Sequence, residues 1–187
     1  TWSTYMGCSS GDAGYSIRVN ESNNTVVVCG GTVSNNIGTT AGVINPTYGG
    51  ATDGYIGVLN NSNGSLNALS YVGTAGYDQA YIVEVDKFGN VFTTGQTKGA
   101  YPVTGGVYSN PGSAQFIHKM NSTLTTTDFS TVFGTGQNSS IDISITAFLV
   151  DNCSNVYVAG WGGGSNNEGT TTGLPVTAGA IKNTTDG

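Results

Sequence analysis

The side chains able to do chemistry in this chain are few and scattered. One histidine, His118, sits between Ile117 and Lys119 in a predicted strand. Catalytic and metal-binding imidazoles work in company, with a second His or a carboxylate beside them. The neighbouring sequence supplies neither, so His118 reads as structural. The glutamates are Glu21, Glu84 and Glu168. A glycosidase needs two carboxylates flanking the scissile bond, and no Asp or Glu pair stands out. The run Gly160, Trp161, Gly162, Gly163, Gly164 is glycine-rich but lacks the Lys and Ser/Thr of a phosphate loop, so it reads as a tight turn at a strand end. Trp161, together with Trp2, could stack on a sugar ring; packing between structural units is the plainer role for Trp161.

Three aspartates, Asp12, Asp78 and Asp142, recur at matching places before a predicted strand. A calcium loop gathers several oxygen ligands, and each of these loops offers one carboxylate, so a turn or cap bonded to its own backbone is the expected role. No metal and no cofactor is expected. Cys8, Cys29 and Cys153 lack metal-ligand spacing. Cys8 and Cys29 fall in one unit, which leaves a disulfide or two free thiols open there; Cys153 falls in a hairpin turn and is expected to be free. Asn-x-Ser/Thr triplets at Asn20, Asn63, Asn121 and Asn138 read as turn chemistry in so Asn- and Thr-rich a chain.

The elements that carry these residues are announced by a repeat. Asp151 to Gly160 reads Asp Asn Cys Ser Asn Val Tyr Val Ala Gly, and related runs end at Gly30 and Gly95. The spacing between these glycines is 65 residues in both intervals, and a fixed spacing marks a repeat architecture. Composition agrees on the fold class. Of 187 residues, 37% are hydrophobic and only 9% charged, with 30 Gly, ten Tyr and six Phe. Uncharged polar residues mixed with β-branched and aromatic ones indicate an all-β chain rich in turns.

Charge excludes some partners. Five basic residues against eleven acidic ones leave a net charge of −6. Nucleic-acid binding needs clustered Lys and Arg, and no basic stripe exists. No apolar run approaches the roughly 20 residues of a membrane helix, so membrane insertion is not expected.

Taken in order, the first unit (about residues 1–68) offers strands at Ser3–Gly7, Gly14–Val19, Thr25–Gly30 and Gly54–Leu59. The second (69–125) offers Leu69–Gly73, Gln79–Val85, Asn90–Gly95 and Gln115–Met120. The third (126–187) offers Phe129–Gly134, Ile143–Val150 and Asn155–Gly160, with a fourth strand due to begin at Gly187. In the turn at Asp86 and Gly89 the carboxylate can accept backbone N–H bonds and the glycine can take the left-handed conformation, and Asp151 stands at the matching place of the third unit. Gly30, Gly95 and Gly160 are read with them as repeated turn residues. Tandem four-stranded units without helices predict blades of a β-propeller, with a β-sandwich or β-helix as the alternative. Three blades do not close a ring, so the chain is expected to be a piece of a longer one or to associate with other copies through open edges.

Particular residues also resemble a known family. Tyr5-Met6-Gly7, Gly11-Asp12, Gly14-Tyr15-Ser16-Ile17, Val156 to Gly160, Pro175-Val176-Thr177 with Ala180-Ile181, and Thr52 to Ile56 resemble the bacterial SBBP β-propeller repeat over nearly the whole chain. The third unit, from Ile141 to Cys153 with Gly160 to Gly163 and Gly173 to Thr177, is similar to large secreted surface proteins of Bacteroidetes that carry a gliding-motility-associated C-terminal sorting domain and leave by the type IX secretion system. The first unit departs from the pattern: Asn20 and Asn24 stand where the other turns have Asp86 with Gly89, or Asp151 with Ser154. The resemblance implies a non-enzymatic, extracellular or cell-surface module acting in adhesion, gliding or as secreted cargo, with secretion or outer-membrane machinery or other domains as partners and no catalytic residues to carry over. A carbohydrate-binding or carbohydrate-active propeller, and a self-assembling filament subunit, are the alternative expectations.

Overall fold

The computed structural model describes residues 1–137, 140–162 and 170–184; Asn138, Gly163, Gly164, Glu168 and the expected strand start at residues 185–187 lie outside them. Ten strands follow in chain order: β1 (Asp12–Asn20), β2 (Thr25–Thr32), β3 (Asp53–Asn60), β4 (Leu66–Val72), β5 (Asp78–Val85), β6 (Val91–Thr97), β7 (Gln115–Met120), β8 (Thr127–Phe133), β9 (Ile143–Val150) and β10 (Val156–Gly162). They form three antiparallel sheets, β1-β2-β3-β4, β5-β6-β7-β8 and β9-β10, none of them closed. Among the described residues there is no helix, and so none long and apolar enough to cross a membrane. The all-β expectation holds.

The grouping of strands differs from the sequence units by one. Leu66–Val72 pairs with β3, and Thr127–Phe133 pairs with β7, so each closes the preceding sheet as its fourth strand instead of opening the next. Short connections between neighbouring strands favour hairpins, and only five residues separate β3 from β4 and six separate β7 from β8. Ser3–Gly7 is not a strand. It lies over the first sheet, with Met6 against Gly57 and the Trp2 indole N–H donating to Asn61 O at 2.7 Å.

Side-chain alternation sorts each strand onto two faces. Val27, Cys29, Ile56, Val58, Ala68 and Val72 of the first sheet pack on Ala80, Val83, Val91, Phe116, Met120 and Val132 of the second. The opposite face of the second sheet turns Phe92, Ile82, Ile117 and Phe129 toward Phe148, Val150, Val156 and Val158 of the third. The sheets therefore stack in series, and the middle one is covered on both sides. That is why every residue of β6 is buried while β10 is largely exposed. Burying a side chain such as Phe92 fully contributes about 3 kcal/mol.

The 65-residue glycine period has a backbone cause. The first hairpin of each sheet carries a bulge, between Gly14 and Ser16, between Ala80 and Ile82, and opposite Ala159 and Gly160. The bulge drives a carbonyl oxygen toward the partner strand: a Cβ on Gly30 would lie 1.8 Å from Ala13 O, one on Gly95 1.8 Å from Gln79 O, and one on Gly160 2.4 Å from Ser144 O. Only glycine fits there. Gly30, Gly95 and Gly160 are thus mid-strand residues of β2, β6 and β10 and not turn residues, and Gly160 and Trp161 stand within β10, not in a strand-end turn.

Candidate functional site

At the head of each sheet a carboxylate folds back on the residues that lead into it. Asp78 accepts from Thr74 N at 2.6 Å and from Thr74 Oγ1 at 2.8 Å. Asp142 does the same with Thr135, at 2.8 and 3.0 Å. Asp12 accepts from Cys8 N at 2.6 Å and from the hydroxyls of Thr32 and Ser34. The expected turn-and-cap role of the three aspartates is what the structure places there. For Asp12, burial would raise the carboxyl, but the bonds from Thr32, Cys8 and Ser34 win and hold it below the usual range.

A fourth carboxylate joins this group. Asp53, at the start of β3, accepts from Gly49 N at 2.6 Å and pairs across the sheet with Thr32, itself the partner of Asp12. The parallel bridge Thr52 to Tyr77, with Asp78 N donating to Thr52 O at 2.7 Å, brings the ends of the first and second sheets together there. A Cβ on Gly73 would lie 3.0 Å from Asp78 Oδ2 and 3.1 Å from Asp53 Oδ1, so these oxygens are within about 6 Å of each other. Burial pushes the Asp53 carboxyl up to about 6; the Gly49 bond opposes this and the Asp78 charge adds to it. The sequence reading counted one carboxylate per loop and missed the pair, because its members lie in two loops that meet only where the sheets stack.

The hairpin turns are as expected. Asp86 Oδ1 accepts from Phe88 N and Asn90 N, both at 2.9 Å, and Oδ2 from Asn90 Nδ2 at 3.0 Å, with Gly89 at φ 85°. Asp151 makes the same three bonds, from Cys153 N, Asn155 N and Asn155 Nδ2, with Ser154 at φ 62°. In the first sheet Asn20 substitutes for the aspartate and reaches across instead, donating to Gly89 O at 3.0 Å.

His118 is buried between two hydroxyls, Tyr101 at 3.0 Å from Nδ1 and Thr127 Oγ1 at 2.8 Å from Nε2. Burial pushes it down to about 4, and the Tyr101 ring stacks on Phe116 at 4.2 Å. This is a satisfied core imidazole. Glu84 pairs with Arg18 at 2.9 Å, and Glu21 is exposed. All three thiols are free, Cys29 buried with its thiol pushed up to about 12, Cys8 and Cys153 exposed; no Cys8–Cys29 disulfide forms.

Trp161 is half-exposed in a groove of about 790 Å³ beside β10, with Tyr108, Phe133, Leu174 and Pro175. Trp2 rests on Gly64 beside the first sheet, so the two indoles belong to different sheets and do not form one platform. Among the described residues no group of three His, Cys, Asp or Glu could hold a metal on its own. No protein-family model matches the chain, and no curated protein matches it.

Proposed function

We propose that the chain is a non-enzymatic scaffold or adhesion module, its sheets the blades of a β-propeller, carried outside a bacterial cell. The observation that supports this best is one sheet plan used twice in full and once in part, with the sheets stacked face on face in chain order. Such a plan builds a rigid display surface, and its loops are free to vary. The polar, weakly charged composition suits an extracellular face, and passage through the type IX machinery follows from the resemblance of the third unit. Antibodies against this chain should stain intact cells of the producing organism, and disabling that secretion system should trap the protein inside. Staining only after lysis would refute the reading.

The groove at Trp161 favours one alternative, a glycan-binding propeller. An indole beside Tyr108 and Pro175 is the apolar surface on which a sugar ring stacks. Binding on a glycan array that disappears in Trp161→Ala would support it.

A further inference from the structure

β2 runs between β1 and β3, and β6 between β5 and β7; β10, which carries the matching glycine, pairs with β9 alone among the described residues. An open strand edge presents a row of N–H and C=O groups on which another strand can pair. Val156–Gly162 is such an edge, and its side chains are largely exposed where those of β2 and β6 are almost all buried.

The two complete sheets show what lies on that edge. In each, the residue across from the glycine is aromatic: Tyr55 pairs with Gly30 and Phe116 with Gly95. The ring covers the glycine, with Tyr55 Cε1 2.8 Å and Phe116 Cε1 3.0 Å from the place a Cβ would take. The strands that bring these rings begin Asp53-Gly54-Tyr55 and Ala114-Gln115-Phe116, so Ala114 stands in the place of Asp53. At Gly160 the nearest atoms belong to Ser144, Ile143 and Ile145, and no ring covers it among the described residues. The groove of about 790 Å³ opens beside it instead.

The far wall of the groove repeats as well. Thr40-Ala41-Gly42-Val43-Ile44, Thr104-Gly105-Gly106-Val107-Tyr108 and Thr177-Ala178-Gly179-Ala180-Ile181 are one motif, its middle glycine at φ 81°, 84° and 85°. In the first sheet Thr40 N donates to Leu69 O and Leu69 N donates to Thr40 Oγ1, both at 3.1 Å. In the second, Thr104 and Ser130 make the same two bonds, at 2.9 and 2.8 Å. Leu69 and Ser130 match, since each stands two residues before the cross-strand partner of the aromatic, Tyr71 for Tyr55 and Val132 for Phe116. The threonine therefore clamps the outer edge of the fourth strand. Thr177 lines the Trp161 groove, is exposed, and meets no strand among the described residues.

An uncovered glycine on a strand edge and a vacant threonine clamp mark the two sides of a slot that β3–β4 fills in the first sheet and β7–β8 in the second. We propose that this groove binds a β-hairpin of a partner polypeptide, whose first strand lays an aromatic ring over Gly160 and whose second strand presents its outer edge to Thr177. The hairpin pairs antiparallel with β10 and brings the third sheet to four strands. Main-chain bonds supply the affinity, and the space over Gly160 selects the aromatic. A second copy of this chain is not that partner, because its own β3–β4 and β7–β8 hairpins are held within their sheets. The site follows from the repeat alone and holds whatever surface the chain displays.

The probe is a synthetic peptide with the sequence of residues 53–72, added to the full chain carrying Trp2→Phe so that indole emission reports Trp161 alone. Saturable binding is expected, with Trp161 emission moving to shorter wavelength and amide exchange slowing across residues 156–162. A Tyr55→Ala peptide should bind about tenfold more weakly, because it leaves Gly160 uncovered. Thr177→Val in the chain should weaken binding about fivefold, from one lost hydrogen bond. No change in emission or exchange up to about 1 mM peptide, or a Tyr55→Ala peptide that binds like the parent, would overturn the proposal. So would a chain that dimerises through β10 in sedimentation and thereby excludes the peptide. An isolated hairpin is only marginally stable in water, so a second measurement appends the same residues to the chain through a Gly/Ser linker, at high effective concentration. That fusion should unfold about 3 °C or more above the same fusion carrying Tyr55→Ala in its appended hairpin; equal midpoints refute the site.

Discussion

Replacing His118 should change how stability depends on pH in a direction and amount that the structure sets. The imidazole is 5% exposed, its two nitrogens are engaged by Tyr101 and Thr127, and burial pushes it from its ordinary 6.5 down to about 4. The unfolded chain therefore binds this proton more readily than the folded one. Stability is complete above pH 6.5 and is lost as pH falls toward 4. At about 1.4 kcal/mol for each pH unit, the loss between pH 7 and pH 4 is about 3 kcal/mol. Asp53 acts with the opposite sign: its carboxyl is raised, so its contribution is present at low pH and is lost as pH rises through about 6. Wild type alone consequently shows a muted pH profile, and the informative quantity is a difference. His118→Gln keeps a neutral hydrogen-bonding side chain and should unfold about 1–2 kcal/mol more easily at pH 7, from one imperfectly replaced bond. Urea unfolding followed by circular dichroism, with EDTA present, should show that gap closing by about 3 kcal/mol by pH 4, leaving the variant the more stable protein. The Asp53 contribution cancels between the two proteins. A gap that stays constant from pH 7 to pH 4 would refute the assignment of His118 as a buried neutral imidazole.

Three further outcomes follow from the geometry. Gly95→Ala places a methyl 1.8 Å from Gln79 O and should lower stability by about 3 kcal/mol or more in thermal or urea unfolding; a change under about 1 kcal/mol would mean that the bulge is easily remodelled. Asp86→Ala removes three hydrogen bonds and the salt-bridge partner of Lys119 at 3.6 Å, so it should lose about 2 kcal/mol, against about 1 kcal/mol or less for Asp151→Ala in its more exposed turn. A thiol reagent should label Cys8 and Cys153 at once and Cys29, fully buried, only on unfolding; immediate labelling of three thiols would contradict the packing of the first sheet on the second.

What was legible in the sequence was whatever each sheet imposes on its own backbone. The Asp86 and Asp151 turns, the strand positions in the second sheet and the matching aspartates Asp78 and Asp142 all answer to local hydrogen bonds, and local patterns report them. The glycine period was visible but its cause was not, since a bulge opposite Gly95 depends on where Ala80 and Ile82 fall in a neighbouring strand. The strand expected at Leu69–Gly73, which is β4, falls in the preceding sheet because a repeat has no natural starting point: the same period is obtained whichever strand is counted first, and only pairing across the β3–β4 connection decides. Ser3–Gly7 has strand-like residues but pairs with no strand among the described residues. The pairing of Asp53 with Asp78 could not be seen at all, because 25 residues and a sheet boundary separate them.

This division says where in the molecule function has room to evolve. Positions that serve one sheet alone are held by sterics: Gly30, Gly95 and Gly160 face a carbonyl oxygen whatever the neighbouring sheets do. Positions that face the next sheet answer to two surfaces at once and vary between copies. The residue before each of these glycines is Cys29, Thr94 and Ala159 in turn. Cys29 is buried in the apolar layer between the first two sheets, Thr94 donates to Phe116 O at 2.8 Å, and Ala159 lies exposed beside the Trp161 groove. Asp53 and Ala114 differ in the same way. Because junction residues are free of the repeat's backbone constraint, charge and polarity can accumulate in one junction without disturbing the others, and the first junction, with two carboxylates where the second has one, is where that has happened.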